Sequence, residues 1–242
     1  MNNPTYYDYI IAGSGCAGLT LLYRILLEPA LNTKKILVID RVEKTYNDRT
    51  WCFWEKEESM FQSIVHHQWD KLDFFSSYHS ATLQISPYRY KMIRGLDLYK
   101  QVHLLAAQFR NVEFKYEQIT DLEVDGELAY VKTTNDTYRG GYIFNSTKLL
   151  FPAQHISEPS LLMHFRGWTI KTAQNCFDEK KGTLMDFNVD QQGGTAFMYM
   201  LPTSKDEALI EYTLYTFQTL NSETYYSALN KYIHDNLKID NF

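Results

Sequence analysis

The run Gly13-Ser14-Gly15-Cys16-Ala17-Gly18 constrains this chain more than any other stretch. Tyr7 to Ala12, just before it, reads as a short and mostly apolar strand, and Ala17 to Leu27, just after it, carries apolar residues at helical spacing. Lys35 to Asp40 comes next, and its unbroken Ile36-Leu37-Val38-Ile39 reads as a second strand buried on both faces. Strand, helix and strand in this order predict a right-handed, parallel βαβ unit. In that setting each glycine has a task. Gly13 permits a tight turn, Gly15 lets the backbone approach a pyrophosphate, and Gly18 lets the helix lie close on the sheet. The helix N-terminus offers N–H donors and partial positive charge to phosphates. Asp40, about 20 positions past the last glycine, is placed to accept hydrogen bonds from ribose hydroxyls. The unit is therefore expected to hold the ADP half of a dinucleotide. The fingerprint itself leaves FAD and NAD both open. The chain downstream of Asp40 favours FAD, because it carries a long helix, a strand and a meander in place of repeated βα units.

Leu96 to Phe109 carries the apolar stripe of an amphipathic helix, and Val112 to Tyr116 reads as a strand. Ile119 to Val124, Leu128 to Thr133 and Thr137 to Phe144 form the expected meander, with turns at Asp125-Gly126 and Asn135-Asp136. Asn145, Ser146 and Thr147 then stand just beyond a strand end, where ligands collect in open α/β sheets. Beyond Leu150 the pattern changes to longer strands, such as His164 to Lys171 and Ala208 to Leu214, and a tyrosine-rich helix from Ser222 to about Asn236. The fold class expected is α/β: a Rossmann-like FAD-binding domain (βαβ plus β-meander) and a second, mainly antiparallel β substrate domain. The domain limits expected are 1–150, with an inserted substrate-facing segment at about 50–92, and 151–242.

Several function classes fit poorly. The net charge of -5 is spread along the chain without a Lys/Arg block, so nucleic acid is not an expected partner. Cys16, Cys52 and Cys176 are far apart and form no C-x-x-C, and adjacent His66 and His67 cannot both face one side of a strand. Neither a disulfide framework nor a metal site is expected, and a reducing cytoplasm fits. Tyr9 to Leu27 is apolar but holds three glycines and Arg24 and lacks a basic leader, which argues against a signal or a span. A soluble protein or one resting on a membrane surface is expected.

Four later motifs add specificity. They are Asp48-Arg49-Thr50-Trp51-Cys52-Phe53-Trp54-Glu55; then Phe165-Arg166-Gly167-Trp168 with Met185-Asp186-Phe187; and finally Ala208-Leu209-Ile210-Glu211-Tyr212-Thr213. In this order they resemble the lycopene β-cyclases, and the resemblance runs over essentially the whole chain. It implies a redox-neutral isomerisation, in which an acyclic carotenoid end group is protonated, closes and loses a proton to give a β-ionone ring. It further implies reduced FAD, with NAD(P)H as electron source, held at Gly13, Gly15, Gly18, Asp40 and Arg49. Glu211 matches the acidic motif and is the expected general acid or base. Trp51, Phe53, Trp54, Trp168 and Asp186 are expected to line the site of a lycopene-like polyene, with Phe165 beside them. A substrate dissolved in lipid implies a cytoplasmic enzyme in peripheral contact with a membrane. Family members are longer, so a chain lacking a C-terminal part is expected, and Asn145 stands where the family carries a carboxylate. The residues also allow plainer roles: core packing for the aromatics and a solvated or salt-bridged strand position for Glu211. The rival functions are a flavin monooxygenase or isoprenoid reductase, and an inactive truncated remnant.

Overall fold

A computed structural model describes residues 4–149 and 160–242 of the chain. The domain boundary expected at 150/151 lies outside the described residues. In chain order the elements are β1 (Thr5–Ala12), α1 (Cys16–Leu27), β2 (Ile36–Asp40), β3 (Thr50–Glu55), β4 (Val65–Trp69), β5 (Lys71–Phe75), β6 (Ser80–Gln84) and β7 (Arg89–Arg94). Then come α2 (Gly95–Ala106), β8 (Val112–Tyr116), β9 (Ile119–Asp125), β10 (Leu128–Thr133), β11 (Thr137–Asn145), β12 (Leu162–Lys171), β13 (Lys181–Asp186), β14 (Thr195–Pro202), β15 (Glu207–Thr216) and α3 (Ser222–Asp235). They fall into two compact units: Met1–Trp51, Met60–Val65 and Ile93–Ala153 form one, and Cys52–Ser59, His66–Met92 and Gln154–Phe242 the other.

The first unit holds a sheet in the order β8-β2-β1-β11-β10-β9. β8, β2, β1 and β11 run parallel, and β10 and β9 return antiparallel as the meander. Burial of β2 on both faces has a direct cause. Ile36 and Val38 pack with α1 and α2 residues such as Leu19, Leu22, Leu98 and Val102, while Leu37 and Ile39 pack with Ile119, Leu122, Val131 and Tyr138 of the meander. Each such side chain contributes about 1.5–3 kcal/mol when fully buried. The strand order turns back between β1 and β11, the switch point at which open α/β sheets gather ligands beyond their strand ends.

The second unit is built on a six-stranded sheet in the order β12-β15-β14-β13-β5-β6, antiparallel except for the β13–β5 pair. One face is covered by α3, where Tyr225, Leu229, Tyr232 and Ile233 meet Ala196, Met198, Ile210, Tyr212 and Leu214. Asn221 starts that helix by accepting a 2.9 Å hydrogen bond from the Thr224 N–H, which satisfies one of the free donors of the first turn. The other face is covered by a three-stranded sheet, β3-β7-β4, whose Trp69, Tyr90 and Met92 pack on Leu72 and Leu201. The Trp69 indole N–H donates to the Pro202 carbonyl at 2.9 Å, which lets a large aromatic be fully buried. The inserted segment expected at about 50–92 holds five strands, β3 to β7, while β13 and β14 carry no clear sequence signal. An α/β fold with a Rossmann-like unit and a mainly antiparallel β unit is what forms.

Candidate functional site

In the first unit a cavity of about 670 Å³ opens at the ends of β1, β2 and β11. Its floor is the glycine loop. Gly13 has φ +108°, a conformation that side chains resist, and its N–H donates to the Ile39 carbonyl at 2.8 Å, tying the turn to β2. A Cβ at Gly18 would fall on the Gly13 carbonyl oxygen, whereas one at Gly15 would meet nothing within 4 Å. Gly18 therefore serves the packing of helix on loop, and Gly15 leaves open the space into which a phosphate would come. No side chain caps α1 and no acidic residue stands in its first turn, so its N-terminal donors and partial positive charge face the cavity. These features fit a pyrophosphate.

The rim is made by loops. Asp40 borders the cavity, but its Oδ2 accepts from the Ser14 N–H at 2.7 Å and from Ser14 Oγ at 2.9 Å, and its Oδ1 accepts from the Arg41 N–H at 2.7 Å. It thus braces the glycine loop as well as lining the cavity. Asn145, standing where a carboxylate was expected, organises the loop after β11: its Oδ1 accepts from the N–H and the hydroxyl of Thr147, and its Nδ2 donates to the Leu149 carbonyl at 2.8 Å. Arg49 is an exposed residue of the rim, and its carbonyl accepts from the N–H of Gly95 at 2.7 Å where α2 begins. Asp48, Lys44 and Tyr99 join it, none of which the sequence pattern singles out for this site. Burial opposes ionisation of Asp48, yet the Tyr99 hydroxyl at 2.7 Å and the Lys44 ammonium at 3.4 Å outweigh it and hold the carboxyl below its ordinary range. Trp51, expected to line the polyene site, stands edge-on to Tyr99 in the wall of this cavity.

In the second unit Glu211 sits on β15 between the two sheets. Its register neighbours are Gly167 on β12 and Tyr199 on β14. Across the layer, the Tyr199 hydroxyl donates to that of Tyr90 at 2.5 Å, and Cys52 of β3 is close enough to both tyrosines and to Glu211 to feel them. Burial raises the pKa of Glu211, and among the described residues no donor reaches its carboxyl. Burial likewise pushes the Cys52 thiol up to about 11 and Tyr90 up to about 12, and moves Tyr199 further in the same direction. All three are therefore neutral at physiological pH. Trp54 lies 4.9 Å from the Tyr90 ring and remains 48% exposed, so it stands at the margin of the layer.

Strand alternation separates the other expected residues. Phe53 points to the face of β3 opposite Cys52 and Trp54. Trp168, also expected to line the polyene site, pairs in register with Ile210 on the α3 side and stacks on Tyr226, so it lies across the sheet from Glu211. Asp186 is likewise on the α3 side, buried, accepting from Tyr232 Oη at 2.9 Å and from the Asn188 N–H and Nδ2 at 3.0 Å each. Asp73, the other buried carboxylate among the described residues of the unit, accepts from Thr82 and pairs with Lys181 at 2.8 Å. Half-buried Glu211 differs from both in having no such partner among the described residues. The residues around Glu211 that sequence reasoning missed are Tyr90, Tyr199 and Gly167. Gly167 alone left a trace, as a glycine inside a strand.

A family model described as "Lycopene cyclase protein" matches residues 8–241. Among solved structures, PqsL of P. aeruginosa in complex with 2-aminobenzoylacetate matches at 14% identity with a TM-score of 0.63, over 87% of this chain and 61% of that one. A geranylgeranyl bacteriochlorophyll reductase-like protein from Thermoplasma acidophilum matches at 12% identity and TM-score 0.64, over 98% of this chain and 64% of the other. The halogenase PltM in complex with phloroglucinol and FAD matches at 12% identity and TM-score 0.61, over 93% and 55%. At these identities the likeness is one of fold, and the chain spans less than two thirds of each of these structures. No curated protein matches the sequence.

Proposed function

The chain belongs to the lycopene cyclase protein family, and on that premise we propose that it is a flavoprotein that closes carotenoid end groups into β-ionone rings, with Glu211 as the acid. One observation carries the reading: Glu211 is a half-buried carboxyl in an aromatic layer, with a raised pKa and no hydrogen-bond donor among the described residues.

A carboxyl in such surroundings keeps its proton to higher pH than a fully solvated one and can pass it to a neighbouring olefin, because the apolar surroundings favour its neutral form until a cation stands beside it. Proton transfer to the terminal double bond of the end group makes a tertiary cation, and the neighbouring double bond captures it to close the six-membered ring. Loss of a proton from the ring leaves the β-ionone product, and a carboxylate held in an apolar layer is a base ready to take that proton back. Electrons and atoms balance without net redox change. Tyr90 and Trp54 offer π-faces to the cation. Cys52, held as a thiol, presents no thiolate to trap it.

The dinucleotide in this reading is FAD, held by the Gly13–Gly18 loop, the α1 N-terminus, Asp40 and Arg49. In its reduced form, with NAD(P)H as electron source, it supplies negative charge that favours a nearby cation. A forty-carbon hydrocarbon has to be collected from a bilayer. Among the described residues no helix is long and apolar enough to cross a membrane, so the proposal includes a peripheral contact.

The test is expression in lycopene-accumulating cells. The expected products are γ-carotene or β-carotene, and a well-expressed protein that yields neither overturns the reading. The neighbours titled as a probable FAD-dependent monooxygenase and as a reductase-like protein motivate a second reading, real redox chemistry on the substrate. NAD(P)H consumed in step with product would select it.

A further inference from the structure

We infer that Gly167 is a positioning residue: its missing side chain opens a bay in β12, and the carboxyl of Glu211 folds into that bay and so faces the edge of the sheet. The inference deepens the reading of Glu211 as the acid and rests on it.

Gly167 and Glu211 are direct register partners. A Cβ built on Gly167 would stand 2.6 Å from Cγ of Glu211 and 3.1 Å from its Oε1, so the glutamate side chain already fills the space that any other residue would need. On the other side of Glu211 stands Tyr199, whose hydroxyl is committed to Tyr90 and whose ring closes the middle of the sheet. The side chain thus leans toward β12, where Gly167 leaves it room, and β12 is an edge strand. Phe165, two residues along the same face and 55% exposed, stands beside the bay.

A glycine inside a strand weakens it, since the residue has no side chain to pack and more backbone freedom to lose. The flanking residues offset this. Arg166 and Trp168 point to the opposite face, where both lie over the Tyr226 ring of α3, at 5.4 Å and 5.7 Å. The backbone of Gly167 is pinned from both sides, and the bay stays open. Phe165-Arg166-Gly167-Trp168 thus acts as one device, with two residues that grip the helix and one that makes way for the acid.

The experiment compares the wild type with Gly167→Ala as full-length chains. Infrared difference spectra against the same protein carrying Glu211→Gln isolate the carbonyl band of protonated Glu211, which is followed across pH. With the bay filled, the carboxyl is displaced toward water, and its titration midpoint is expected to fall by at least one pH unit. Ring formation in lycopene-accumulating cells is expected to fall at least tenfold. A folded Gly167→Ala protein whose Glu211 titrates as in the wild type overturns the inference. Should Gly167→Ala not fold, the double variant Gly167→Ala/Glu211→Ala decides. Recovered folding supports a bay filled by Glu211, and no recovery overturns it. A wild type that makes no ring removes the cyclase reading, while the infrared midpoint still judges Gly167.

Discussion

The two candidate sites are made of different material. The cavity of the first unit is built largely from main-chain groups: a glycine loop, a bare helix N-terminus, and carboxylates such as Asp40 that spend their lone pairs holding the loop. The layer around Glu211 is built from side chains, and its one carboxyl receives no hydrogen bond among the described residues. The first arrangement suits recognition of a charged, hydrated ligand, for which preset dipoles replace water. The second suits proton transfer into an apolar substrate, for which a stabilised carboxylate would be a poor acid.

This contrast can be broken by substitution. The largest effect is expected from Glu211→Gln, which removes the proton and leaves the shape. Ring formation should fall by about 10²–10⁴-fold, with nucleotide retention measured by flavin absorbance unchanged. Gly18→Val should cost about 3 kcal/mol in thermal unfolding, because its side chain has to displace the Gly13 carbonyl, and it should abolish nucleotide retention. A smaller signal is thermodynamic. Burial raises the folded-state pKa of Glu211 above its ordinary 4.5, so in the interval between the two values the unfolded chain has released a proton that the folded chain keeps. Stability then declines as pH rises through that interval. Glu211→Gln lacks this decline, and urea titrations should show it gaining on the wild type as pH climbs above 4.5. An equal slope in the two proteins would mean that Glu211 ionises as freely as in water. The smallest effect belongs to Tyr232→Phe. It deletes one of three donors to Asp186 and should cost about 1 kcal/mol without altering turnover.

Much of the first unit was legible in the chain itself because its signals are local. Three glycines, an apolar run and Asp40 occupy a short stretch, and their spacing carries the geometry. The second unit depends on which strand lies beside which. That β15 stands between β12 and β14, and that Gly167 rather than Trp168 meets Glu211, comes from a register set by distant residues. Part of the misreading was avoidable. Trp51 and Phe53 alternate with Trp54 on one strand, so the three aromatics expected there could not all line one wall. Trp168 next to Gly167 is the same case. Tyr90 and Tyr199 had no signal of their own among the chain's many tyrosines, and only packing singled them out.

Neither unit is a continuous piece of chain, for each collects three separated stretches. The early strands β4, β5 and β7 place Trp69, Leu72 and Tyr90 in a core completed only by β14 and β15. On the ribosome those side chains leave the exit tunnel long before their cover is synthesised, and they remain sticky surface for the intervening time. An N-terminal fragment ending after the first unit would therefore leave those side chains uncovered, and a chaperone that holds the nascent chain should raise the yield of intact protein more than one that acts after release.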